Sequence, residues 1–159
     1  MNDAGLTHGG FYAHFRSREA LMLAALEAAF ASLDQRFLDA GPDAPGAARL
    51  GGLIDHYLSP EHRDHPERGC PLVALASDLP RQSAAVRAVY EAGLRRMIDR
   101  LVDCLGDTQA SELEAKAASI LAEMVGALSL SRSVAEPGLS DQILSQCRAS
   151  LKARFNLPT

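Results

Sequence analysis

Apolar residues recur at intervals of three and four along most of this chain, and that period restricts it to packed helices. The clearest run is Val86, Val89, Tyr90, Gly93, Leu94, Met97, Ile98, Leu101, Val102 and Leu105, which only a 3.6-residue turn gathers on one face. The same spacing links Leu21, Met22, Ala25, Leu26, Ala29, Phe30, Leu33 and Phe37. It links Leu50, Leu53, Ile54, Tyr57 and Leu58, then Leu113, Ala117, Ile120, Leu121, Met124, Val125 and Leu128, and finally Ile143, Leu144, Cys147, Leu151 and Phe155. Aromatics make up 5% of the chain and tryptophan is absent, so the core must be built mainly from Leu, Ala, Val, Ile and Met. An all-α fold is expected.

Helix stops and starts divide these runs. Gly41-Pro42 closes a helix over residues 17–40 that Ser17 caps, and Ser59-Pro60 closes one over residues 45–58. Pro71 follows Cys70, which predicts a helix with Cys70 as N-cap running to about residue 78. Longer helices are predicted over residues 80–105, with Gly106 as the stop, and from a cap at Asp107 or Thr108 to residue 133. Pro137-Gly138 ends the next connection, and a last helix spans residues 139–155.

The chain has 159 residues and 47% hydrophobic content, enough for a sizeable core. Its formal net charge of −4 carries no footprint of a non-specific nucleic-acid binder. Arg87, Glu91, Arg95 and Asp99 alternate in sign, the pattern of a solvated helix face. Cys70, Cys104 and Cys147 form no paired spacing, which fits a reducing, cytoplasmic setting. No signal pattern and no unbroken spanning segment is seen, so no membrane role is expected.

One stretch carries more specific information. Residues 4–20 read AGLTHGGFYAHFRSREA, a short helix opening at Thr7, a break, and the start of the long helix at Ser17. Phe11 and Phe15 share one face with Leu6, while His8, Gly9, Tyr12 and His14 occupy the other. This stretch closely resembles the recognition helix and following turn of the TetR (tetracycline-repressor) family of transcriptional regulators. Ala4, Gly5, Gly9, Phe11, Tyr12, His14, Phe15, Ser17, Glu19, Ala20 and Leu21 match the family pattern, and Leu6, Thr7 and Arg18 nearly do. His8 stands where a lysine is common, and Gly10 where a threonine or serine is common.

The resemblance implies three parts: residues 1–16 as a partial DNA-binding domain, residues 17–40 as the connector helix, and residues 41–159 as a ligand-binding and dimerisation domain. It implies a regulator, usually a repressor, that releases operator DNA when a small-molecule effector binds. Thr7, His8, Gly9, Tyr12, His14, Ser17 and Arg18 would face DNA, Thr7 and His8 nearest the base edges. Tyr12 and the helix start at Ser17-Arg18 would meet phosphates. The final two long helices, within residues 108–155, would pair with their copies in a homodimer.

A TetR-type DNA-binding domain has three helices, and this chain enters near the end of the second. Either a longer natural protein carries the rest, the favoured reading, or the chain is a dimeric ligand-binding module without DNA binding. Without those helices Leu6, Phe11 and Phe15 lose their partners, forfeiting roughly 1.5–3 kcal/mol each. Residues before Ser17 are then expected to be poorly ordered unless another chain covers them.

Tyr57, Cys70, Tyr90 and Met124 are the expected effector-site residues, chosen as polar or soft side chains on apolar helix faces. Cys70 at a helix start, with Arg68 nearby, is weighed as a reactive thiol against the favoured alternative, a small residue packed at a helix end. His56, His62, His65 and Cys70 imitate a metal set, but their spacing lacks tight ligand pairs, and a solvated, charged loop over residues 61–69 with room for one helical turn is expected. No cofactor is expected. No phosphate loop, nucleophile elbow or HExxH motif is present, so the chain is not expected to be an enzyme.

Overall fold

The computed structural model describes residues 15–39, 46–106 and 110–157. Every regular element among them is helical. The α-helices are α1 (Arg18–Asp39), α2 (Gly46–Tyr57), α3 (Pro60–Asp64), α4 (Pro71–Leu75), α5 (Ala84–Leu105), α6 (Ala110–Ser133) and α7 (Pro137–Arg154), with 3-10 turns at Pro66–Arg68 and Leu79–Arg81. Helix α6 lies between α5 and α7 and packs on both, while α5 also carries α1 and α2. The expected stops at Gly41-Pro42 and the caps at Asp107 and Thr108 lie outside the described residues.

Helix α1 begins where the sequence places it. Ser17 Oγ accepts the backbone N–H of Ala20 at 3.0 Å, satisfying one of the orphan donors of the first turn. Leu26 and Phe30, one turn apart, are both buried, whereas Leu21 is 36% exposed. Phe30 enters a notch left by Gly93 on α5, where a Cβ would collide with the ring. At the far end of α1, Asp34 accepts Arg100 Nη2 at 2.9 Å and Arg96 Nε at 3.3 Å.

Three expected boundaries are corrected. Helix α4 ends at Leu75, short of residue 78. The Asp78 N–H reaches Leu75 O at 2.9 Å, tightening the chain out of the α-helical pattern. Helix α5 starts at Ala84 rather than at Pro80, which sits inside the second 3-10 turn. Ser83 is the better start, because its Oγ accepts the Val86 N–H at 3.3 Å. Helix α7 starts two residues early, at Pro137, since a proline in the first turn has no intrahelical N–H to lose.

The C-termini follow residue chemistry. Gly106 closes α5 at φ 84, a conformation that costs other residues a clash with their own Cβ. Asn156 plays the same part after α7 at φ 51, and the Leu157 N–H then reaches back to Lys152 O at 2.9 Å. The core joins Leu50, Ile54, Leu72, Met97, Leu101, Ile120, Met124, Leu128, Leu144 and Leu151, each almost wholly buried. Burying each such side chain contributes roughly 1.5–3 kcal/mol before the entropy of ordering it is subtracted.

Candidate effector site and DNA-facing end

Three of the four expected effector-site side chains come together. Tyr57 leaves the last turn of α2, Cys70 caps α4, and Tyr90 lies midway along α5. Tyr57 and Cys70 are 2% and 1% exposed, and Tyr90 is half-buried. Tyr90 Oη donates to Leu72 O at 3.1 Å, two residues beyond Cys70. Its ring meets Phe30 edge-on, with centroids 6.1 Å apart, so a short run of contacts joins α4 to the connector helix α1. Met124 is fully buried on α6 in the same core cluster.

Tyr57 Oη is buried and makes no hydrogen bond of ordinary geometry. Its polar neighbours include the Cys70 thiol, the Arg132 guanidinium and the Tyr90 hydroxyl. Burial, with a smaller contribution from Cys70, pushes the Tyr57 phenol well above its ordinary range, so it stays neutral and able to donate. Burial likewise raises the Tyr90 phenol. Cys70 itself sits in the core, the environment of the packed small residue rather than of an accessible thiolate.

The segment linking α2 to α4 is largely exposed, as expected, and departs from that reading in its second helical turn and in one buried histidine. Its charged residues form α3 and a 3-10 turn, and His62 is buried. Ser59 Oγ accepts the His62 N–H at 3.1 Å, and His62 Nδ1 lies 2.9 Å from Tyr57 O, so the imidazole holds the end of α2 rather than a metal ion. The His62 and Tyr57 rings meet edge-on at 4.8 Å. His65 instead pairs with Glu67 in solvent. Among the described residues no group of three or more His, Cys, Asp and Glu side chains converges as a metal set would.

Two arginines that the sequence leaves unmarked fix this segment to the long helices. Arg132 donates from Nη2 to His62 O at 2.6 Å and from Nε to Arg63 O at 3.0 Å. Arg63 in turn reaches Ser140 Oγ at 2.8 Å, Asp141 and Asp64, while Ser140 Oγ donates to Ser131 O at 2.7 Å. The hydrogen bond to Arg63 holds the Asp64 carboxyl below its ordinary range. Arg132 lies 70 residues beyond His62, so no local pattern announces the pair.

At the other end of α1, Ser17 and Arg18 are exposed at the helix start. Glu19, in the first turn, accepts a short hydrogen bond from Ser83 Oγ, which ties this end of the connector to the cap of α5. Thr7, His8, Gly9, Tyr12 and His14, the remaining expected DNA-facing residues, lie outside the described residues. The expectation of poor order before Ser17 concerns residues that, but for Phe15 and Arg16, also lie outside the described ones.

An all-helical chain with a capped connector and a buried helical core meets its decisive comparison in a family model described as the C-terminal domain of tetracyclin repressor-like proteins, which matches residues 46–145. The chain belongs to that family. It is therefore a TetR-type regulator whose matched region runs from α2 through the first half of α7. The crystal structure of NemR from E. coli in its reduced form shares the fold, with a TM-score of 0.77 over 96% of this chain and 81% of that one. The two are 23% identical, and the likeness is one of fold. Among curated proteins none matches. No helix among the described residues of this TetR-type chain is long and apolar enough to cross a membrane.

Proposed function

We propose that this protein is a cytoplasmic, non-catalytic TetR-type repressor whose hold on operator DNA is relieved by a small molecule. The effector site is the cluster of Tyr57, Cys70, Tyr90 and Met124. The observation that carries this is the buried phenol of Tyr57 without a hydrogen-bond partner, since native interiors rarely leave such a group unpaired unless something else supplies the partner. Tyr90 supports a route outward, because it touches Leu72 on α4 and Phe30 on the connector. Displacing α4 would then move α1, whose exposed start carries Ser17 and Arg18.

Operator contact is assigned to Thr7, His8, Gly9, Tyr12, His14, Ser17 and Arg18. Homodimerisation is assigned to the outer faces of α6 and α7. The test compares the present chain with a form extended by its upstream reading frame, in a gel-shift assay against the DNA flanking its own gene. Retardation by the extended form alone is expected. No retardation by either form would leave the dimeric ligand-binding module as the reading.

A further inference from the structure

We propose that the effector is an electrically neutral small molecule with a carbonyl or hydroxyl oxygen, which accepts a hydrogen bond from Tyr57 Oη. This rests on the reading of Tyr57, Cys70 and Tyr90 as the effector site, and it adds the chemical class that the site admits.

Three observations carry it. First, Tyr57 is 2% exposed and its hydroxyl meets only the Cys70 thiol, without a hydrogen bond of ordinary geometry, while the Tyr90 hydroxyl is already committed to Leu72 O. The site therefore offers one unused donor, and a thiol such as Cys70 is too weak an acceptor to satisfy it. Second, both phenols stay protonated, so they present donors and no fixed charge to compensate a bound ion. An ion taken into this core would have to leave water without a counter-charge, which excludes it unless it is paired. Third, the nearest candidate counter-charge, Arg132, has Nε and Nη2 turned to the carbonyls of Arg63 and His62. His62 likewise has its Nδ1 on Tyr57 O. An anion would have to break that arrangement to be paired, whereas a neutral acceptor needs only Tyr57.

The test uses the full chain without DNA, so it is separate from operator binding. Acetophenone, cyclohexanone and phenol serve as neutral probes, with benzoate and benzylammonium as charged counterparts of similar size. Thermal unfolding is measured with and without each probe at millimolar concentration. At least one neutral probe is expected to raise Tm by about 3–5 °C, the shift given by ligand at roughly ten times its dissociation constant for a domain of this size. Benzoate and benzylammonium should give no shift. Tyr57→Phe should fold with a Tm no lower than the parent, because it removes only an unpaired hydroxyl, and should bind the same probe about tenfold more weakly. A second readout is the ring signal of Tyr57 in a tyrosine-labelled NMR spectrum, identified by its loss in Tyr57→Phe, which should move on titration with the neutral probe. Shifts from the charged probes alone, equal binding by parent and Tyr57→Phe, or no binding by any neutral probe would each overturn the proposal. Neutral binding lost in Tyr57→Phe, alongside a failed gel-shift, would uphold the ligand class and remove the repressor reading.

Discussion

Gly93 on α5 and Tyr57 on α2 define how tightly individual residues are specified. Gly93 is buried, and a Cβ there would collide with the edge of the Phe30 ring at Cζ. Alanine ordinarily gains about 1 kcal/mol over glycine in a helix interior. Here overpacking opposes that gain at a typical cost of about 1–3 kcal/mol. Gly93→Ala is therefore expected to lower stability by up to about 2 kcal/mol in urea unfolding. Combining it with Phe30→Leu should be less damaging than the two single losses added together, because the smaller side chain vacates the notch. Tyr57 offers a second measurement. Its phenol titrates above the ordinary value of 10.0 in the folded chain because burial disfavours the phenolate. A raised folded value means stability is fully present below about pH 10 and is lost as pH climbs beyond it. Tyrosine absorbance followed with unfolding should show the Tyr57 phenolate appearing only as the fold opens, and Tyr57→Phe should resist alkaline unfolding further than the parent.

At the level of helices, the sequence was legible wherever a period was long. All ten apolar positions of the run between residues 86 and 105 are at least partly buried, because a 22-residue helix has room to average over local exceptions. Of the short elements, α4 was legible at its start, where Pro71 follows Cys70, but not in its length. Helix α4 is five residues long, too short for any period to show. The apolar repeat alone leaves the start of α5 near residue 80, whereas the cap at Ser83 decides the boundary. Ser83 also does two jobs at once, accepting the Val86 N–H and donating to Glu19 on the connector. Ser83→Ala should remove both, costing about 1 kcal/mol from the cap alone. Ser83→Asn or Ser83→Asp should recover most of the cap in thermal unfolding. Only asparagine should also spare the connection, since a second carboxylate facing Glu19 would repel it.

For the whole molecule, the buried cluster proposed as the effector site was legible only in its residues of local character. Tyr57, Cys70 and Tyr90 could be picked from helix faces, because polar groups stand out on apolar stripes. His62, Arg63 and Arg132 could not, because their partners lie in distant parts of the chain and only the fold brings them within reach. The assembly poses the reverse case, in which the sequence pattern says more than one folded chain explains. Leu130 on α6 is 59% exposed and Leu139 on α7 is 42% exposed. Around them the outer face of α6 carries the exposed small residues Ala115, Ala118, Ala122 and Ser129, and that of α7 carries Gln142, Gln146, Ala149 and Ala153, all uncharged. A helix pair that faced only water would be expected to bear charges on these positions, as α5 does with Glu91 and Arg95. In a twofold dimer each such residue appears twice, so one substitution places two charges in the interface. Leu130→Glu combined with Leu139→Glu should therefore convert a dimer into a monomer by light scattering at micromolar concentration. Helical circular dichroism should be retained, because neither side chain contributes to the core of its own chain. If the parent chain is itself monomeric at that concentration, the assignment of α6 and α7 to a dimer interface fails.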